Sequence, residues 1–246
     1  MKINLHCHTN YSDGDDIFKM ALEHKNCGFS AFVVTDHVYP LMLAKDKFDR
    51  YSMAITSYKK FQNQAQELKL VSEKLNFTCI QGMELALFGE EVLVFGNKVS
   101  YDIFNFLDNI DLKKQEKFGH TDEYRKNIIF HLVDILKINM KNSAYILCHP
   151  HLNPEYNWVM EPLYPILDGF EFQNKRCYFF TDKTNINKKP RCNRPIPIEL
   201  INKNKFYNSD AHCIKDVAVN NGNFHDNEIK TLDDLINYIK TPQKQR

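Results

Sequence analysis

Two short motifs at opposite ends of the chain constrain it most. His6-Cys7-His8 follows the apolar run Ile3 to Leu5 and leads into the turn-like Tyr11-Ser12-Asp13-Gly14, and Asp210-Ala211-His212 follows Phe206-Tyr207. On an extended strand, residues two apart face the same side. His6 and His8 therefore form one two-pronged clamp with Cys7 turned away, and Asp210 with His212 forms a second. Two such clamps invite a fold that brings the ends of several strands to one mouth. Between them, Asp36-His37 ends the run Ala31 to Thr35, Glu84 follows Phe77 to Met83, and His149 follows Tyr145 to Cys148. Carboxylates and imidazoles at five strand ends are hard to explain by packing, because buried polar groups need partners. Imidazole and carboxylate without thiolate suit Zn²⁺, Mn²⁺ or Fe²⁺.

Apolar runs at Ile3 to Leu5, Ala31 to Val34, Phe77 to Ile80, Val92 to Phe95, Tyr145 to Cys148, Gly169 to Phe172 and Phe206 to Tyr207 read as buried strands. Helical patterns lie between them at Asp16 to Lys25, Tyr51 to Leu75, Glu123 to Asn139 and Leu232 to Ile239. Such alternation predicts an α/β fold of parallel strands with crossover helices. The 246 residues, 43% hydrophobic, suffice for one core, so a single domain over 1–246 is expected, with a helical insertion at about 39–75. The basic segment Lys183 to Arg194 reads as a surface loop.

A net charge of +1 gives no general electrostatic pull toward nucleic acid or membrane, so an anionic ligand must be held locally. With neither a signal-peptide pattern at Met1 to Leu5 nor an apolar run of about 18 residues, a cytoplasmic protein is expected. Seven scattered cysteines without a CxxC pair read as reduced thiols.

The ordered series Leu-His-Cys-His-Thr then Ser-Asp-Gly, Thr35-Asp36-His37, Gly82-Met83-Glu84, Cys148-His149-Pro150 and Ser209-Asp210-Ala211-His212 resembles the motif series of the PHP (polymerase and histidinol phosphatase) family. The resemblance implies a distorted (β/α)7 barrel holding two or three divalent metal ions, Zn²⁺, Mn²⁺ or Fe²⁺. It implies that His6, His8, Glu84 and Asp210 hold one ion, that Glu84 bridges to a second also bound by His149, and that Asp13, His37 and His212 hold a third. It further implies phosphoester hydrolysis by a metal-bound hydroxide. Many relatives carry a histidine where this chain has Leu93, in Glu91-Val92-Leu93-Val94-Phe95-Gly96, and His120 or His151 are the candidates to replace it.

Asp36 and His151 are candidates to protonate the leaving group or orient a ligand. Lys175 and Arg176, following the run Gly169 to Phe172, are candidates for the substrate phosphate. Trp158, Tyr178, Phe179 and Phe180 could line a pocket for a ring. A small phosphomonoester or nucleotide-type substrate is expected, with nucleic acid only as a short oligonucleotide. Other readings are a PHP-type protein tyrosine phosphatase, a non-catalytic metal-binding PHP domain, and an amidohydrolase-type barrel, which also opens with HxH.

Overall fold

The computed structural model describes residues 1–39, 54–87, 90–110, 121–150, 161–174, 198–218 and 222–242. Ten strands and six α-helices are described. In chain order they are β1 (Lys2–Ile3), α1 (Ile17–Asn26), β2 (Phe32–Val34), β3 (His37–Val38), α2 (Tyr58–Leu75), β4 (Cys79–Gln81), β5 (Met83–Leu87) and β6 (Glu90–Phe95). There follow α3 (Asn97–Asp108), α4 (Asp122–Asn139), β7 (Ala144–Leu147), β8 (Gly169–Asn174), β9 (Asn204–Asn208), α5 (Ile214–Ala218), β10 (Asn223–Phe224) and α6 (Leu232–Lys240).

The helices start where side chains can cap them. Asp16 accepts from Lys19 N at 3.0 Å ahead of α1, and Ser57 accepts from Lys60 N at 3.2 Å ahead of α2. Thr231 and Asp234 cap α6 reciprocally. Helix α2 ends at Asn76, whose left-handed φ of 44° breaks the repeat. Helix α3 was not evident in the sequence pattern. It starts after Gly96 at φ 152°, where a side chain would run into Ser143 and Val99.

The architecture is mixed α/β. The strands form a six-stranded sheet in the order β3-β5-β6-β7-β8-β9 and two-stranded pairs β2-β4 and β1-β10. This corrects the expectation of parallel strands: β6 runs antiparallel to both β5 and β7. Only residues 88–89 separate β5 from β6, and a two-residue connection can join antiparallel neighbours but not parallel ones. The named strands do not close into a barrel. Backbone contacts nonetheless link the sheets: Asn4 bridges Phe32, Cys7 bridges Ala211, and Thr35 N donates to Cys7 O at 2.8 Å. Gly82 N donates to Val34 O at 2.8 Å, joining the β2-β4 pair to the β3-β5 pair that continues it.

Side-chain alternation explains the layering. Val92 and Val94 of β6, with Tyr145 and Leu147 of β7, pack against Val99, Ile103 and Phe104 of α3 and Ile129, Leu132 and Val133 of α4. The intervening residues Leu93, Phe95, Ala144 and Ile146 turn to a second cluster with Ile3, Leu5, Val33, Ile80 and Phe206, which α6 covers with Leu235, Ile236 and Ile239. A third cluster sets Ile17, Met20 and Ala21 of α1 and Leu68 and Val71 of α2 on Phe32 and Val34. Each such fully buried Val, Leu, Ile or Phe contributes roughly 1.5–3 kcal/mol. Strands packed on both faces supply a stiff base for the polar residues at their ends.

Candidate metal centre

The segment after β1 delivers His6 and His8, both fully buried, to one side, while Cys7 lies in the cluster under α1. His37 of β3 is the register partner of Glu84 on β5, so the two side chains start as neighbours. His149 follows β7 and Asp210 follows β9, each with a left-handed backbone, φ 26° and 53°. Non-glycine residues take that conformation at a cost, and such strain concentrates where a fold must aim a side chain. Asp13 is carried by the turn at 9–14. Gly14 is required there, because a side chain on it would come within 2.6 Å of Thr9 N.

These residues converge. His6 Nε2 lies 3.0 Å from His8 Nε2, 3.1 Å from Glu84 Oε1 and 3.4 Å from Asp210 Oδ1. His8 Nε2 is 3.1 Å from Asp210 Oδ1 and 3.4 Å from Glu84 Oε2. Glu84 also meets His37 Nδ1 at 2.6 Å and His149 Nε2 at 3.2 Å, so four imidazoles surround one carboxylate that is 1% exposed. Asp13 Oδ1 stands 3.1 Å from His212 Nε2 and 3.5 Å from His37 Nε2. All eight sequence-predicted metal ligands, His6, His8, Asp13, His37, Glu84, His149, Asp210 and His212, are therefore brought together.

The donor set fits divalent cations. Both oxygens of Glu84 and Nδ1 of His37 are buried without a hydrogen-bond partner, although charged or polar atoms lie within 3.5 Å. Atoms that close but not aligned for hydrogen bonding share a common focus, which suits a cation. Potential ligand atoms gather as His6, His8 and Asp210, as His8, Asp13, His37 and His212, as His37, Glu84 and Glu91, and as His6, Cys148, His149 and Glu171.

Surrounding contacts set which nitrogen faces the centre. His6 Nδ1 donates to Glu171 Oε1 at 2.8 Å, and His212 Nδ1 donates to the Asp210 carbonyl at 2.9 Å. Each turns its Nε2 toward the carboxylates of the centre, the orientation a metal ligand needs. Glu171 is fully buried and also accepts from His149 N at 2.9 Å and Asn208 Nδ2 at 2.9 Å.

The charges act on one another. Burial alone would lower the pKa of His37 and His149, but Glu84 and the other carboxylates raise both to about 9. His8 goes the other way, to about 3, through burial and the neighbouring charges of His37 and His212. Burial works to raise Glu84 and Asp210, yet His6 and other imidazoles hold both well below the usual carboxylate range.

Asp36 has a different setting. It is fully buried and accepts from Thr9 N at 2.6 Å, from the Thr9 and Ser12 hydroxyls and from the Gln64 amide. Burial pushes it up to about 6 despite those bonds. Its carboxylate secures the turn that carries Asp13. His151, Lys175, Arg176, His120, the Lys183 to Arg194 loop and Trp158, Tyr178, Phe179 and Phe180 lie outside the described residues.

Glu91 and Glu171 were not singled out as site residues by sequence reasoning. Glu171 stands inside the run Gly169 to Phe172, and a carboxylate inside an apolar strand run is the signal that could have found it. Glu91 Oε2 lies 3.5 Å from His149 Nε2.

No protein-family model matches the chain, and no curated protein is similar to it. Among the described helices, none is long and apolar enough to cross a membrane. Among solved structures, the chain is similar to a proposed metal-dependent phosphoesterase of Bifidobacterium adolescentis, with 13% identity, a TM-score of 0.44, and coverage of 97% of this chain and 96% of that one.

Proposed function

We propose that the chain is a single-domain, metal-dependent phosphoesterase of the PHP type, acting on a small phosphomonoester or nucleotide-type substrate. The observation that carries this reading is Glu84, whose two buried oxygens have no hydrogen-bond partner while His6, His8, His37 and His149 converge on them. The bridges Asn4 to Phe32 and Cys7 to Ala211 support a distorted barrel with this cluster at its mouth.

Five carboxylates, Asp13, Glu84, Glu91, Glu171 and Asp210, meet in the cluster. Protonated imidazoles offset part of that charge, and two or three divalent ions would offset it more fully. His6, His8, Glu84 and Asp210 would hold one ion, Glu84 and His149 a second, and Asp13, His37 and His212 a third. When bound, such ions polarise a phosphoryl oxygen and acidify water. The residues of this chain orient that chemistry: Glu171 and the Asp210 carbonyl fix the imidazoles of His6 and His212, and Asp36 secures the Asp13 turn. Asp36 thus serves as a positioning residue. His151, two residues beyond His149, is the candidate proton donor to the leaving group, and Lys175 and Arg176, directly after β8, are candidates for the substrate phosphate.

The test is elemental analysis of the purified protein, followed by hydrolysis of an aryl phosphate with added Mn²⁺, Zn²⁺ or Fe²⁺. Two or more equivalents of metal are expected, with turnover lost in His8→Ala and Asp210→Ala. One equivalent or fewer and no turnover would overturn the reading.

A further inference from the structure

We propose that Glu91 completes the second metal site with Glu84 and His149, and that this site, the richest in carboxylate, takes up Mn²⁺ while the sites beside it, with a larger share of imidazole, retain Zn²⁺. The inference rests on the metalloenzyme reading above and deepens it.

Leu93 is fully buried in the inner apolar cluster, packed among Ile3, Val33, Phe95 and Ile146, and offers no donor atom. On a strand, Glu91 shares the face of Leu93 and lies two residues nearer the β5–β6 hairpin. Its register partner is Ala86, one pleat beyond the pairing of Leu93 with Glu84. From there its carboxylate groups with Glu84 and His37, all ligand atoms within 4.8 Å of one another, and reaches to 3.5 Å from His149 Nε2. Independently, both Glu84 oxygens are buried without a hydrogen-bond partner beside Glu91 and His149, a setting that suits a cation.

The donor types separate the sites. The first site, His6, His8, Glu84 and Asp210, balances two imidazoles against two carboxylates, and the third, Asp13, His37 and His212, sets two imidazoles beside one carboxylate. Glu84, Glu91 and His149 offer two carboxylates to one imidazole. Carboxylate oxygens suit Mn²⁺, whereas imidazole favours Zn²⁺, so the advantage of Zn²⁺ over Mn²⁺ is smallest at the Glu91 site. The Glu91 side chain is 24% exposed against 1% for Glu84, so this site opens toward solvent and its ion can exchange.

The experiment loads the full chain with Zn²⁺, dialyses it to constant metal content, and titrates Mn²⁺ while electron paramagnetic resonance counts the bound fraction. The wild type should take up one Mn²⁺ and keep its remaining Zn²⁺. Glu91→Gln should weaken Mn²⁺ uptake about 100-fold or more, at the upper end of what supporting residues cost a metal site, with the retained Zn²⁺ unchanged. Glu91→His should restore an occupied second site that now holds Zn²⁺ against Mn²⁺. Should Glu91→Gln fail to fold by circular dichroism, Glu91→Asp, which withdraws the oxygens by one methylene, is expected to show the same selective loss. Wild-type Mn²⁺ uptake in the folded variants would overturn the assignment of Glu91 and leave the phosphoesterase reading standing. A wild type that binds no divalent ion would overturn both.

Discussion

Glu171→Gln tests how the centre is supported. The carboxylate accepts from three identified donors: His6 Nδ1 and Asn208 Nδ2 on Oε1, and His149 N on Oε2. A glutamine has one acceptor oxygen. If that oxygen keeps its place toward His6 and Asn208, the amide NH₂ faces the His149 N–H, donor against donor. If the amide flips, two donors lose their acceptor instead. The first orientation costs less, and it leaves unsatisfied the part-buried backbone N–H of His149, a residue already held at φ 26°. One such orphan costs about 1–3 kcal/mol of stability. Removing the negative charge also weakens the polarisation of His6 as a ligand, which typically costs ~10–100-fold in metal affinity. Guanidinium denaturation of the metal-free protein reads the first quantity, and competition with a metal-binding dye reads the second. Stability within about 0.5 kcal/mol of wild type, together with unchanged metal affinity, would refute the reasoning.

Other outcomes follow from the same structure. His24 is fully buried, with Nδ1 donating to Met20 O at 2.8 Å, and burial lowers its pKa from 6.5 to about 4. The unfolded chain therefore binds a proton that the folded chain refuses, so stability falls as pH drops from 6.5 toward about 4, by up to about 3 kcal/mol. His24→Phe should flatten that part of a stability-versus-pH curve by close to one proton, and an unchanged slope would count against this account. Asp36→Asn should leave two of the four donors around residue 36, one hydroxyl and one N–H, facing an NH₂ group; the hydroxyl can turn to accept but the N–H cannot, so the melting temperature should fall and Zn²⁺ binding at Asp13 should weaken, both measurable by calorimetry with and without Zn²⁺. Chelator treatment should lower the melting temperature of the wild type, and metal restored to about 100 times its Kd should return about 2.7 kcal/mol; coincident melting curves would speak against a metal linked to folding. Gly96→Ala should destabilise by about 1–3 kcal/mol, since Gly96 has φ 152° and its hydrogen would be replaced by a methyl group directed at Ser143 and Val99.

Local chemistry made much of this protein legible before its fold was known. The period of two in His6-Cys7-His8 already assigns both imidazoles to one face, and the apolar run before each of Glu84, His149 and Asp210 marks a strand that ends on a polar residue. Helices α1, α4 and α6 were readable in outline because their apolar spacing agrees with their caps. Relations set by pairing were not readable. The antiparallel course of β6 follows from its beginning only two residues after β5 ends, and Met83 to Leu87 had not been read as a strand in its own right. Glu91 belongs to the site, and Leu93 to the core, only because register sets Leu93 opposite Glu84 and Glu91 one pleat beyond. Glu171 acquires its place because β8 lies where His6, His149 and Asn208 can reach it from three other parts of the chain. Sequence alone marked eight residues as suited to metal and set the shared face of each clamp pair, because those are properties of neighbours along the backbone. Only the tertiary structure decided which of them come together and which acid supports them, because both depend on strands distant in sequence being brought side by side.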